Sequence, residues 1–82
     1  MAQKTFHLVV SKVDEAVFDG EVISVTVPGT DGEMTILAHH APLVSTLRSG
    51  VVVVRNESGA DERFDVKSGI LEVSQNMATL LL

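Results

Sequence analysis

A chain of 82 residues, 45% hydrophobic and 21% charged, can bury one small core and has the composition of a folded domain rather than a disordered segment. It contains no cysteine, which excludes disulfides and thiolate metal sites. The net charge of -5, six basic residues scattered singly from Lys4 to Lys67, and the lack of tryptophan and tyrosine argue against nucleic acid as a partner, because phosphate stripes and base-stacking platforms are missing.

In chain order, Met1 to Phe6 carries neither the apolar core of a signal peptide nor the arginine richness of a transit peptide, so a cytoplasmic location is expected. Phe6, Leu8 and Val10 then alternate with Thr5, His7 and Val9, a period-two pattern that predicts a strand. Lys12 to Val17 could form one helical turn at most, and Asp19-Gly20 reads as a turn. Ile23, Val25 and Val27 alternate with Val22, Ser24 and Thr26, a second strand rich in branched side chains that pack well on a pleated sheet. Val27-Pro28-Gly29-Thr30 fits a type II turn, with proline at the second position and glycine at the third. Further turn signals follow at Asp31-Gly32, His40-Ala41-Pro42, Ser49-Gly50, Ser58-Gly59, Ser68-Gly69 and Gln75-Asn76. Val51 to Val54 and Leu80 to Leu82 are apolar on both faces; a second sheet or loop is expected to cover Val51 to Val54, whereas the terminal leucines favour a patch awaiting a partner. No window holds helical periodicity over two turns, no run is long enough to span a bilayer, and no basic amphipathic helix suggests lipid insertion. The prediction is one all-β domain over residues 1–82, a sandwich or barrel of short hairpins.

Little in the sequence points to catalysis. His39 and His40 are adjacent, so on an extended segment they face opposite sides and cannot easily share one ion. Ser45 lacks a nucleophile elbow, and Gly29-Thr30-Asp31-Gly32 lacks the lysine and following helix of a phosphate cradle. Asn56-Glu57-Ser58 spells a glycosylation sequon but reads as a hairpin turn. No cofactor or metal is expected. A carbohydrate-binding module would want aromatic platforms, which are missing; a peptide-binding module would need an open sheet edge.

Four pieces of sequence are more specific. They are Phe18-Asp19-Gly20 running through alternating valines to Pro28-Gly29-Thr30-Asp31-Gly32-Glu33, then His40-Ala41-Pro42-Leu43, then Gly50-Val51-Val52, then Ser68-Gly69-Ile70-Leu71-Glu72-Val73. In this order and spacing they resemble the N-terminal domain of the epsilon subunit of F-type ATP synthases, over Phe6 to Leu82. The family pattern has glycine at the position of Thr35 and proline-glycine at that of Ala38-His39, so the loop between those strands departs from it.

The resemblance implies a flattened β-sandwich of two antiparallel sheets with about ten short strands. It implies a non-catalytic central-stalk subunit, peripheral to the cytoplasmic face of a bacterial plasma membrane or the equivalent organelle face, that couples ring rotation to ATP synthesis. The partners it implies are the gamma subunit and the c-ring. Glu33 falls on the acidic position that faces an arginine of the c-ring loops, and His40 on a position expected near the same end; Asp31 suits either that contact or an ordinary turn role. Contacts to gamma are expected from Ala41, Pro42, Leu43 and Val44 and from the last strand at Leu80 and Leu82. Typical relatives continue into two C-terminal helices with inhibitory and ATP-sensing roles; these 82 residues stop at the last strand, so neither nucleotide binding nor inhibition is expected.

Overall fold

The computed structural model describes residues 4–82; Met1–Gln3, on which part of the leader reading falls, lie outside the described residues. The described residues form nine strands and no helix: β1 (Phe6–Lys12), β2 (Glu15–Val22), β3 (Ser24–Gly29), β4 (Gly32–Leu37), β5 (Leu43–Leu47), β6 (Gly50–Arg55), β7 (Asp61–Val66), β8 (Gly69–Ser74) and β9 (Met77–Leu81). The all-β expectation holds, with nine strands in place of about ten.

The strands pair in the order β2-β1-β9-β8-β5-β3-β6-β7, with β4 on the other edge of β3. This is one continuous sheet folded over, not two separate antiparallel ones, and β1 pairs β9 in parallel. The chain changes layer four times, once through the longer link 38–42 between β4 and β5 and three times at short bends. Ile23 joins β2 to β3, Arg48-Ser49 joins β5 to β6, and Lys67-Ser68 joins β7 to β8. At each bend a strand leaves the layer β2-β1-β9-β8-β5 for the layer β4-β3-β6-β7 or returns from it, a known way of making sandwich corners. Backbone bonds hold the corners: Ile23 N–H donates to Arg55 O at 2.8 Å, and Arg48 N–H to Pro28 O at 2.9 Å.

Alternation decides what lies between the layers. Phe6, Leu8 and Val10 of β1 point inward with Leu71, Val73, Ala78 and Leu80, and meet Val25, Val27, Val52 and Val54 of the other layer. Val22 is also buried while Ile23 is not, because the corner at Ile23 shifts the phase between β2 and β3. A fully buried leucine contributes roughly 1.5–3 kcal/mol of transfer free energy, so this valine-leucine interior is the main stabilising term.

Several local expectations are corrected. Lys12 to Val17 makes no helical turn; Val13-Asp14 closes the β1–β2 hairpin, and Asp19-Gly20 lies inside β2. Pro28-Gly29 is the end of β3 and the turn is Thr30-Asp31, with the positive φ (133°) at Gly32. Proline is tolerated there because the β3–β6 ladder ends at Thr26 and the β3–β5 pairing begins only at Gly29. No layer covers the second face of Val51 to Val54: Val52 and Val54 are in the core, and Val51 stands 45% exposed.

Candidate functional site

The outward face of the layer β2-β1-β9-β8-β5 is the complement of its core face. With Leu71 and Val73 inward, Ile70, Glu72 and Ser74 point out; with Ala78 and Leu80 inward, Met77, Thr79 and Leu81 point out. Register sets these side chains in rows. Thr46, Ile70, Leu81 and Ser11 form one, and Val44, Glu72, Thr79 and Val9 the next. Among the described residues seven large apolar side chains are exposed, and four of them, Val44 (72%), Leu81, Met77 and Ile70, share this face. Exposed apolar side chains sharing one sheet face, here interspersed with Glu72 and Thr79, are a surface suited to a partner.

The margin on the β2 side is charged. His7 of β1 lies between Asp19 and Glu21 of β2: Nε2 is 2.6 Å from Asp19 Oδ1 and Nδ1 is 2.9 Å from Glu21 Oε2. Thr5 Oγ1 donates to the other Glu21 oxygen at 3.0 Å. The two carboxylate hydrogen bonds raise the His7 pKa above its ordinary value. The sequence pattern places His7 on a strand but shows neither partner, because a turn set at Asp19-Gly20 hides the register His7↔Glu21 that a turn at Val13-Asp14 makes plain.

The predicted contact residues separate to opposite ends of the sandwich. Asp31 and Glu33 are exposed at the β3–β4 turn, the end that also carries the Val13-Asp14 turn and the Arg48-Ser49 and Lys67-Ser68 corners. Glu33 is not in purely acidic surroundings, since Arg48 and Arg63 line the same shallow groove with Pro28 and Val51. The expectation that His40 stands near Glu33 is corrected. Strand β4 runs from Glu33 opposite Pro28 to Leu37 opposite Ser24, roughly 13 Å at about 3.3 Å per residue. His39 N–H, just beyond, donates to Asn76 Oδ1 at 2.7 Å in the β8–β9 turn at the other end. His40 Nδ1 lies 2.7 Å from Ala41 O. No group of three or more histidine or carboxylate side chains is arranged to hold a metal ion among the described residues.

Of the residues expected to meet gamma, Ala41, Pro42 and Val44 are exposed, and Leu43 and Leu82 are partly covered against the core. Leu80 is corrected: its side chain is wholly buried, and alternation gives the outward position on β9 to Leu81.

This geometry is matched in known proteins. The family described as the ATP synthase delta/epsilon chain beta-sandwich domain matches residues 5–82. The chain belongs to this family. It is 43% identical over 77 residues to the ATP synthase epsilon chain of Bordetella petrii, covering 94% of this chain and 55% of that one. It is 41% identical over 81 residues to the epsilon chain of Parvibaculum lavamentivorans, covering 99% and 61%. The chain thus spans between about half and three-fifths of the length of these two curated relatives. Among solved structures, a chain of the Euglena gracilis mitochondrial ATP synthase OSCP/F1/c-ring assembly superposes with a TM-score of 0.88 at 25% identity, over 99% of this chain and 51% of that one. A chain of the Tetrahymena thermophila mitochondrial ATP synthase central stalk/c-ring shares the fold with a TM-score of 0.79 at 14% identity, over 99% and 65%.

The loop at Ala38-His39 is where the chain departs from the family pattern. His39 has a φ of 61°, the left-handed region, at the position where the family pattern has glycine. Thr35, the other departure, places its Oγ1 2.9 Å from Thr26 Oγ1 across the hairpin.

Proposed function

We propose that this epsilon-type sandwich is a non-catalytic part of the central stalk of an F-type ATP synthase, docking on a gamma subunit through the outward face of the layer β2-β1-β9-β8-β5. The observation that carries this reading is the exposure of Val44, Ile70, Met77 and Leu81 on one sheet face, in a chain of the delta/epsilon family. Burial of such side chains supplies affinity, while charged groups at the rim set orientation. Gamma contacts are assigned to Val44, Ile70 and Leu81, with Ala41 and Pro42 at the margin.

The second part of the proposal concerns the end at the β3–β4 turn. Glu33, with Asp31 at the tip, faces the c-ring and pairs with a basic side chain of its loops. The likeness to chains of c-ring-containing assemblies supports this placement, and His40 is left out of it because it lies at the other end. Exposed ion pairs contribute only about 0.2–1 kcal/mol each, so the role of Glu33 is register rather than adhesion. The domain then transmits rotation of the ring to the shaft and stays peripheral to the membrane on the side from which the catalytic head projects.

Co-expression with a gamma subunit of the same organism tests the reading. A complex that survives purification is expected. A free monomer showing no affinity for gamma would return the domain to the other binding modules.

A further inference from the structure

A neutral imidazole has one N–H donor and one acceptor nitrogen, so it can donate to only one carboxylate. His7 faces two. Asp19 Oδ1 and Glu21 Oε2 lie at hydrogen-bond distance from its two ring nitrogens, and a carboxylate offers only acceptors. Both contacts can be hydrogen bonds only when both nitrogens carry protons. Among the described residues, the other elements around His7 bring no competing charge. Its neighbour on β9 is Met77, Thr5 contributes a hydroxyl to Glu21, Lys4 is exposed, and Lys12, Asp14 and Glu15 sit at the far end of the β1–β2 hairpin.

We propose that His7, as an imidazolium bridging Asp19 and Glu21, is a proton-operated clamp that ties the edge strand β2 to β1 beside the apolar face. Among the described residues β2 has no sheet partner beyond β1, so this bridge, with the Thr5–Glu21 hydrogen bond, tethers it by side chains at the Met77 end of the face. Loss of the proton removes one of the two hydrogen bonds and changes the local charge from one net negative to two, with the carboxylates facing each other across a neutral ring. The edge strand loosens and the rim of the face becomes more acidic.

The direction with pH follows from the raised pKa. Below 6.5, the ordinary histidine value, His7 is protonated whether the chain is folded or unfolded, and the clamp's stabilisation is complete. It is lost as pH rises through the higher value of the folded state. The clamp itself rests on the isolated chain. Only its effect on docking rests on the gamma reading, and there it makes affinity fall with rising pH in the wild type but not in His7→Gln.

The deciding experiment is nitrogen NMR of the His7 ring in the 82-residue chain. The titration midpoint is expected to lie above 6.5, with both ring nitrogens protonated below it, and Asp19→Asn and Glu21→Gln are each expected to lower it. A midpoint at or below 6.5, or one unmoved by both substitutions, overturns the clamp, and neither result depends on His7→Gln folding. Absence of gamma binding at every pH would instead overturn the functional reading and leave the clamp standing.

Discussion

At His39 the backbone takes a left-handed φ without a glycine to relieve it, while its N–H is anchored to Asn76. The left-handed conformation costs a residue with a Cβ on the order of 1 kcal/mol. His39→Gly should therefore raise the unfolding free energy by about 0.5–1 kcal/mol in urea titration, and an unchanged or lower midpoint would remove strain as the explanation. Asn76 itself has a φ of 58°, accepts from His39 N–H, and donates from Nδ2 to Thr5 O at 3.0 Å. Asn76→Ala forfeits both side-chain bonds and the tolerance for that φ, an expected loss of about 2–3 kcal/mol by the same titration. Leu80 and Leu81 make the sharpest residue-scale contrast. Leu80→Ala opens a cavity in the core and should cost about 2–5 kcal/mol. Leu81→Ala should leave stability within about 0.5 kcal/mol, yet weaken capture of gamma. The sequence-based choice of Leu80 and Leu82 as contacts shows what a triple leucine conceals: its phase is fixed only by pairing with β8 and β1.

At the scale of elements, the alternation Phe6-Leu8-Val10 was readable directly, because it depends on one strand and one buried face. The hairpins were harder. Asp19-Gly20 and Pro28-Gly29 carry turn chemistry but sit inside strands, where Gly20 lies on the sheet edge and Pro28 at a gap in the ladder. The corners at Ile23, Arg48-Ser49 and Lys67-Ser68 left no signal of a folded-over sheet, since a bend that moves a strand between layers reads in sequence as any short link. Gln75-Asn76 was legible and forms a two-residue hairpin turn with positive φ at both positions. Close approach at the corners explains one glycine. A Cβ on Gly69 would lie 2.7 Å from Leu81 O. Gly69→Ala should thus push β8 from β9 beside the apolar face and cost roughly 1–3 kcal/mol, measurable as a fall in melting temperature. A neutral substitution would mean that the β8–β9 pair yields more easily than its register suggests.

For the whole molecule, an interior of valines and leucines between two layers leaves a second apolar surface on the outside of one of them, and a small domain of this size gains from having it covered. Glu33, by contrast, stands at one end. Glu33→Lys should leave melting unchanged while lowering proton-driven ATP synthesis in reconstituted vesicles by about 1.4- to fivefold, the range of one exposed ion pair. The central claim, that gamma closes the face carrying Ile70 and Leu81, is tested most directly by placing a photo-crosslinking side chain at Ile70 and, separately, at Val51 on the outside of the other layer. The account predicts a crosslink to gamma from position 70 and none from position 51. A crosslink from position 51 alone would contradict it.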